Sequence, residues 1–455
     1  MKDARSTLRV LVVLLAAVAL AGCATGPETP GSNHDRDDHR AEGRRADDRA
    51  PNSPHENDRH SDVSGNQDRQ DNHSDHAAED HHDERTAGRL LVATNRGTVA
   101  VLDALDGSVE AVFAQALPGG LVAAHAGPSG QFGYVVHRDV STVLIVDSGQ
   151  ILTEHDGHED LDLGPPAILG EVRSGRKPSR FTSMDGRVGF YNDESGNVTM
   201  IDEGTLRDGL TYRVVPALVD SGTPILLSDR LIVGYVDKPF AEVIDYTGRV
   251  QHTIPNVRRA RGQARVGRYS AIGTDEGVLV VTQTGDRFDA RMVRNPPGTP
   301  DGVRTETIAG HPTLPHFVGD LGSALVRVDP VAGTSAAYRP PSAPWRFDID
   351  RSGRYVVVLG EDGVLSVLDS QTFALLRSVK AVAALDPGAP VGTTLPAIAL
   401  GRRVAYVTVP STSRILAICL DEAEIVAELH VDLGGRITSL ALMVTDGMIH
   451  EAGET

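Results

Sequence analysis

Two cysteines, Cys23 and Cys419, are all that 455 residues carry, so no disulfide framework holds the fold together. Aromatic residues are scarce at 4%, with Trp345 the single tryptophan, which leaves no stacking platform for sugars or bases. Trp345, Phe347, Phe132, Tyr134, Tyr355 and Phe190 are read as packing residues. Positive charge is in deficit. Asp and Glu number 62 against 44 Lys and Arg, a balance of −18 that argues against nucleic-acid partners, whose phosphates require basic patches. Neither G-x-S-x-G nor H-E-x-x-H occurs, and the glycines at Gly170–Gly175 and Gly262–Gly267 lack the strand-to-helix setting of a phosphate loop. Cys419 lies inside the apolar run ILAICL, without the base or exposure a nucleophile needs.

One apolar run stands apart, Val10–Leu20, preceded by Lys2, Arg5 and Arg9 and too short to span a bilayer comfortably. It ends in Leu20-Ala21-Gly22-Cys23, which resembles the lipobox of bacterial lipoproteins. That resemblance implies removal of residues 1–22 as a lipoprotein signal peptide and diacylation of the Cys23 thiol. A buried CH₂ contributes about 0.8 kcal/mol, so two acyl chains anchor stably. The expected location is the extracytoplasmic face of a membrane, periplasmic or at the cell surface.

Residues 23–86 read as a disordered, lipidated tether. Its segment Ala24–Thr86 holds 17 acidic and 8 basic residues, half of the chain's net charge, and too few apolar side chains to offset the entropy of ordering. Eight of the 17 histidines fall here: His34, His39, His55, His60, His73, His76, His81 and His82. Nearly every one has an Asp or Glu within two residues. A spacer needs charge but not eight imidazoles. Neutral imidazole beside carboxylate ligates zinc and other divalent transition metals, so the tract reads as a metal-collecting arm.

From residue 87 to 447 short Val/Ile/Leu/Ala runs alternate with Gly, Asp, Ser and Pro turns, and no helical repeat is sustained. The same unit recurs from Gly88, Ser129, Asp185 and Ser352, and more weakly from Ser228, Gly267, His311 and Gly401. Each unit is a polar turn, an apolar strand, a Gly or Asp turn and a second apolar strand. Eight units at roughly 40-residue spacing predict an all-β, eight-bladed β-propeller. A count of seven stays open, because the unit at Gly267 is degenerate. In six units the second strand ends in Asp (Asp103, Asp147, Asp202, Asp245, Asp329, Asp369), expected to start a turn through its carboxylate. The run Ile437–Val444 has no partner nearby and is expected to join the sheet begun at Gly88, closing the ring. Residues 448–455 form a tail.

The body resembles the AztD family of periplasmic zinc metallochaperones. The likeness rests on IVDSG (Ile145–Gly149), LTEHDGHEDLDL (Leu152–Leu163), GRKPSRF (Gly175–Phe181) and the long stretch Trp345–Asp369, within a similarity that covers most of Gly88–Gly447. The resemblance implies a propeller that passes zinc to the solute-binding protein of an ABC importer. It also implies histidines on the strand after Lys177-Pro178 and in later blades, where this chain has Arg180, Met184, Thr223 and Gln263. An arginine at a ligand position repels a cation, so the fold carries over better than the site.

Within the body the best metal-binding cluster is Glu154-His155-Asp156-Gly157-His158-Glu159-Asp160, placed by the repeat between the second and third blades. His155 and His158, with Asp156 or Glu159, offer three zinc ligands, and water or a tract histidine (His73, His76, His81, His82) the fourth. His125, on an expected inner strand, and His137, at the end of the next, are weaker candidates that core packing explains as well. The expected function is a lipid-anchored zinc chaperone or scavenger. The alternative is a cell-surface protein-interaction propeller with no metal role. An enzyme is not expected, because no convergent carboxylate or cofactor-ligand set is visible.

Overall fold

The computed structural model describes residues 88–445, apart from 121, 156–157, 387 and 390–392, and the side chains of 154–159 lie outside it as well. The leader, Cys23, the tract with His73, His76, His81 and His82, and the C-terminal tail are likewise outside the described residues.

Among the described residues eight four-stranded antiparallel sheets follow one another in chain order, with one additional two-stranded ribbon. The innermost strands are Ile437–Val444 (blade 1), Ala123–Ala126 (blade 2), Pro178–Met184 (blade 3), Gly222–Leu226 (blade 4), Arg261–Val266 (blade 5), Ile308–Ala309 (blade 6), Pro344–Ile349 (blade 7) and Ile398–Leu400 (blade 8). They surround the axis of a propeller. Eight blades remove the seven-bladed option. The weak unit from Gly267 builds full strands, Tyr269–Gly273 and Gly277–Thr284, in blade 5.

Each recognised unit supplies the second and third strands of a blade. These are the buried ones, such as Gly88–Thr94, Phe132–His137 and Tyr355–Gly360, buried along their whole length. Their Val, Leu and Ile side chains pack into the gaps between neighbouring blades. Tyr406, Ile415 and Cys419 of blade 8 meet Leu90, Leu102 and Leu440 of blade 1, and Leu91, Val101 and Met443 of blade 1 meet Val135, Leu144 and Val146 of blade 2. Each such side chain contributes about 1.5–3 kcal/mol by leaving water. A blade alone would leave both faces wet, so the ring is what stabilises it.

Closure follows the expected route. Ile437–Val444 pairs antiparallel with Gly88–Thr94, from Gly88 opposite Val444 to Thr94 opposite Ile437. Tyr406 Oη donates to Ala104 O at 2.7 Å across the last and first blades. All six strand-ending aspartates act as turn starters. Their Oδ1 atoms accept backbone N–H groups from Leu105, Gly149, Gly204, Thr247, Val331 and Gln371 at 2.7 to 3.1 Å. Helical content is limited, among the described residues, to the 3₁₀ turns Arg138–Val140 and Glu203–Thr205.

One placement differs from the sequence reading. The acidic His segment does not link blades 2 and 3. It is the ribbon Gln150–His155 with His158–Leu163, inserted within blade 2 between its third strand, Thr142–Asp147, and its outer strand, Ala167–Val172. The outer strand is short and largely exposed, so its pattern in sequence does not separate it from a loop.

Candidate functional site

The ribbon runs in register from Gln150 opposite Leu163 to His155 opposite His158 at the tip. In sequence, Asp156-Gly157 falls between the two strands of the ribbon. The register sets the backbones of His155 and His158 opposite one another. The side chains of His155, Asp156, His158 and Glu159 themselves lie outside the described residues.

The base of the ribbon is held by groups from three blades. Gln150 is fully buried, and its Nε2 donates to Gly130 O (3.1 Å), Ser148 Oγ (3.1 Å) and Met443 O (3.2 Å) on the closing strand. Arg89, with its side chain 6% exposed, donates from Nη1 to Gly164 O at 2.8 Å and to Ser148 O, and from Nη2 to Glu110 at 3.2 Å. Arg207 of blade 3 grips Asp147 through Nε (2.8 Å) and Nη2 (3.0 Å), and Gln150 O through Nη2 (2.7 Å). Gly149 sits between, at φ 78°, where a Cβ would lie 2.2 Å from Gly164 O. Only glycine fits there. These partners lie far from the ribbon in sequence, and no local pattern announces them. Buried Gln150 at the start of an apolar run is the one local hint.

The other histidines are placed differently. His125 stands on the inner strand of blade 2 and stacks on Phe181 of blade 3, with ring centroids 4.5 Å apart and planes 7° from parallel. Its Nε2 has no hydrogen-bond partner, and burial lowers its pKa to about 4, so the ring is neutral at neutral pH. His137 is 2% exposed, and its Nε2 lies 3.1 Å from Pro118 O. A carbonyl only accepts, so Nε2 carries the proton. His316 similarly donates to Ser370 O at 3.0 Å, and His311 bonds Thr313 Oγ1 (2.8 Å) and Arg351 O (3.1 Å). Among the described residues, no three His, Cys, Asp or Glu side chains converge on a metal-sized centre.

The positions where the resemblance leads one to expect histidine have other duties. Met184 is buried between blades 3 and 4. Thr223 Oγ1 donates to Ala260 O at 3.2 Å, and Gln263 Nε2 to Phe181 O at 2.7 Å. Arg180 is partly buried with no hydrogen-bonded acceptor among the described residues, and desolvation together with the charge of Arg261 lowers its pKa. Asp348, on the inner strand of blade 7, is reached by solvent yet ringed by protein. Desolvation raises its carboxyl to about 6, against one backbone hydrogen bond from Ile349 N. Sequence reading named Asp160 within the acidic cluster but did not single out Asp348 or the clamp residues Arg89, Gln150 and Arg207.

No family model matches the chain. It is similar to the zinc chaperone AztD of Citrobacter koseri, with 24% identity over 381 residues, 80% of this chain and 88% of that protein. The crystal structure of C. koseri AztD superposes with a TM-score of 0.73 at 22% identity, over 80% of this chain and all of that one. The structure of its apo form gives 0.71 at 23%, over 80% and 99%. The dihydro-heme d1 dehydrogenase NirN, in complex with DHE, shares the fold at a TM-score of 0.52 and 13% identity, over 78% of this chain and 75% of its own. The chain shares the β-propeller fold of C. koseri AztD.

Proposed function

We propose that this AztD-like chain is an extracytoplasmic zinc-binding protein, lipid-anchored at Cys23, that acts as a metallochaperone or scavenger and passes zinc to the solute-binding protein of an ABC importer. Similarity to a zinc chaperone over four-fifths of the chain supports zinc as the cargo. The observation that carries the reading in this chain is the ribbon register, His155 opposite His158 at the tip of a hairpin clamped at its root. Two imidazoles and one carboxylate from Asp156, Glu159 or Asp160 supply three ligands of a tetrahedral zinc site. Water, or one of His73, His76, His81 and His82 from the tract, completes it.

The mechanism has two stages. The tract raises local zinc through many weak, exchanging His/carboxylate sites, and the ribbon holds one ion at an exposed tip from which a partner can take it. Anchoring donor and acceptor at one membrane raises their effective concentration. His125 and His137, packed within blade 2 and its neighbour, take no part. Protonated imidazole does not ligate, so binding weakens as pH falls through about 6.5 and is lost near pH 5.

A zinc competition titration against a chelating dye tests this on the full chain. Parent protein is compared with a variant carrying Asn at all eight tract histidines, and with the double variant His155→Ala, His158→Ala. The expected result is one tight ion that survives the tract substitutions and is weakened about a hundredfold in the ribbon variant. An unchanged tight site in the ribbon variant removes the ribbon from the mechanism. No zinc bound by the parent protein leaves the propeller as a protein-interaction surface.

A further inference from the structure

The axial channel carries a charge pattern opposite to that of the ribbon. Arg180 stands on the inner strand of blade 3, and Arg261 is the first residue of the inner strand of blade 5. They are close enough for Arg261 to act on Arg180 electrostatically. Two further arginines and two carboxylates surround them, but those are already matched. Arg138 Nη1 donates to Asp193 at 2.7 Å, and Ser179 Oγ donates to the same carboxylate at 2.7 Å. Arg304 Nε donates to Glu306 at 2.7 Å. Arg180 and Arg261 are left over, with no acceptor among the described residues. Arg261 Nε and Arg304 Nη1 are buried donors with nothing to bond, and Arg265 Nε, further along the same strand as Arg261, is a third.

Two partly buried guanidinium groups facing each other repel, and each unfilled donor forfeits a hydrogen bond. An anion between them would relieve both costs, because the guanidinium fork matches oxyanion geometry and the bonds are charge-assisted. The gap is small. Gln263 of blade 5 reaches Phe181 O of blade 3 at 2.7 Å, so the two inner strands stand within one side chain of each other. Blade 4 starts between them in the chain with Gly222, against which the Tyr191 ring packs, and Thr223, whose Oγ1 donates to Ala260 O. Exposed Glu306 and Thr307 mark solvent access beside the gap.

We propose that Arg180 and Arg261 bind a small oxyanion of the phosphate or sulfate type at this end of the channel. The site is separate from the ribbon and takes a ligand of opposite sign.

Calorimetric titration of the zinc-free full chain with inorganic phosphate, and then with sulfate, tests the assignment. The expected result is one saturable site, weakened at least tenfold by Arg180→Gln and by Arg261→Gln, and unchanged by Arg346→Gln on blade 7. In phosphate-free buffer the double variant Arg180→Gln, Arg261→Gln should melt at or above the parent temperature, since a repulsion has been removed, and should lose the upward shift that phosphate gives the parent. That signature separates loss of the site from loss of the fold. Absence of saturable binding by the parent overturns the proposal. So does a double variant that binds within twofold of the parent, or an Arg346→Gln variant weakened as much as the other two.

Discussion

The ribbon of blade 2 and the channel at the axis share one scaffold and treat charge in opposite ways. The ribbon's sequence is rich in histidine and carboxylate residues, and its root is held by Arg89 and Arg207 of the neighbouring blades, which bond backbone carbonyls and Asp147. The channel keeps arginines without acceptors and carries one imidazole without a partner at Nε2, His125, and one carboxylate, Asp348, that solvent reaches. In a propeller the axis is the usual place to look for a ligand. Here a cation meets repulsion at Arg180 and Arg261, whereas the proposed zinc ligands belong to the ribbon's sequence. An insertion in one blade can thus carry a chemistry that the ring itself does not.

The comparison can be broken first at the ribbon's root. Arg89→Ala leaves Ser148 O, Gly164 O and Glu110 without their donor, and removing one partner of a buried charged network costs about 3–5 kcal/mol. Chemical denaturation should show that loss. A change under about 0.5 kcal/mol would place the arginine outside the clamp, in the range of ordinary surface substitutions.

Acid titration sharpens the contrast next. The folded pKa of His125 is depressed to about 4, so the unfolded chain binds more protons between pH 6.5 and 4. Its contribution to stability is therefore complete above about 6.5 and falls away as pH drops to 4, by up to about 3 kcal/mol. Asp348, raised to about 6, has the opposite slope: its stabilising influence is present below 3.8 and is lost as pH rises through 6. Denaturation midpoints across pH 4 to 7 should flatten on the acid side in His125→Gln, and should steepen there in Asp348→Asn. Identical profiles for the two variants and the parent would contradict the desolvation of both groups. Because the ribbon is remote from either in register and role, zinc affinity at pH 7 should stay within twofold in both.

The smallest effect is expected at the ribbon's carboxylates. In the proposed site Asp160→Asn and Glu159→Gln should each weaken zinc by no more than about tenfold, because the two histidines remain and another carboxylate of the cluster can serve as the third ligand. A loss as large as that of the double histidine variant would contradict this order.

Much of the ring was legible because its signals are local and repeated. Asp103, Asp147, Asp202, Asp245, Asp329 and Asp369 mark third strands, and the apolar runs before them mark the buried second strands. The unpaired run Ile437–Val444 pointed to closure. Inner and outer strands were not legible: Ala123–Ala126 and Ile308–Ala309 are too short for a period, and Ala167–Val172 is mostly wet. That is why the acidic His segment was assigned between blades. At the site, His155 and His158 are legible as residue types, but their pairing across a ribbon needs the register. The clamp by Arg89, Gln150 and Arg207 joins residues up to 293 positions apart and exists only once the ring is formed.

The hydrogen bond from Gln150 to Met443 O has a consequence for assembly of the ring. The acceptor lies on the closing strand, so the ribbon's seat forms only once Ile437–Val444 has joined Gly88–Thr94. Without that strand the channel-side edge of Gly88–Thr94 is exposed and the Gln150 amide is short of one partner. Sealing the ring is thereby what seats the ribbon.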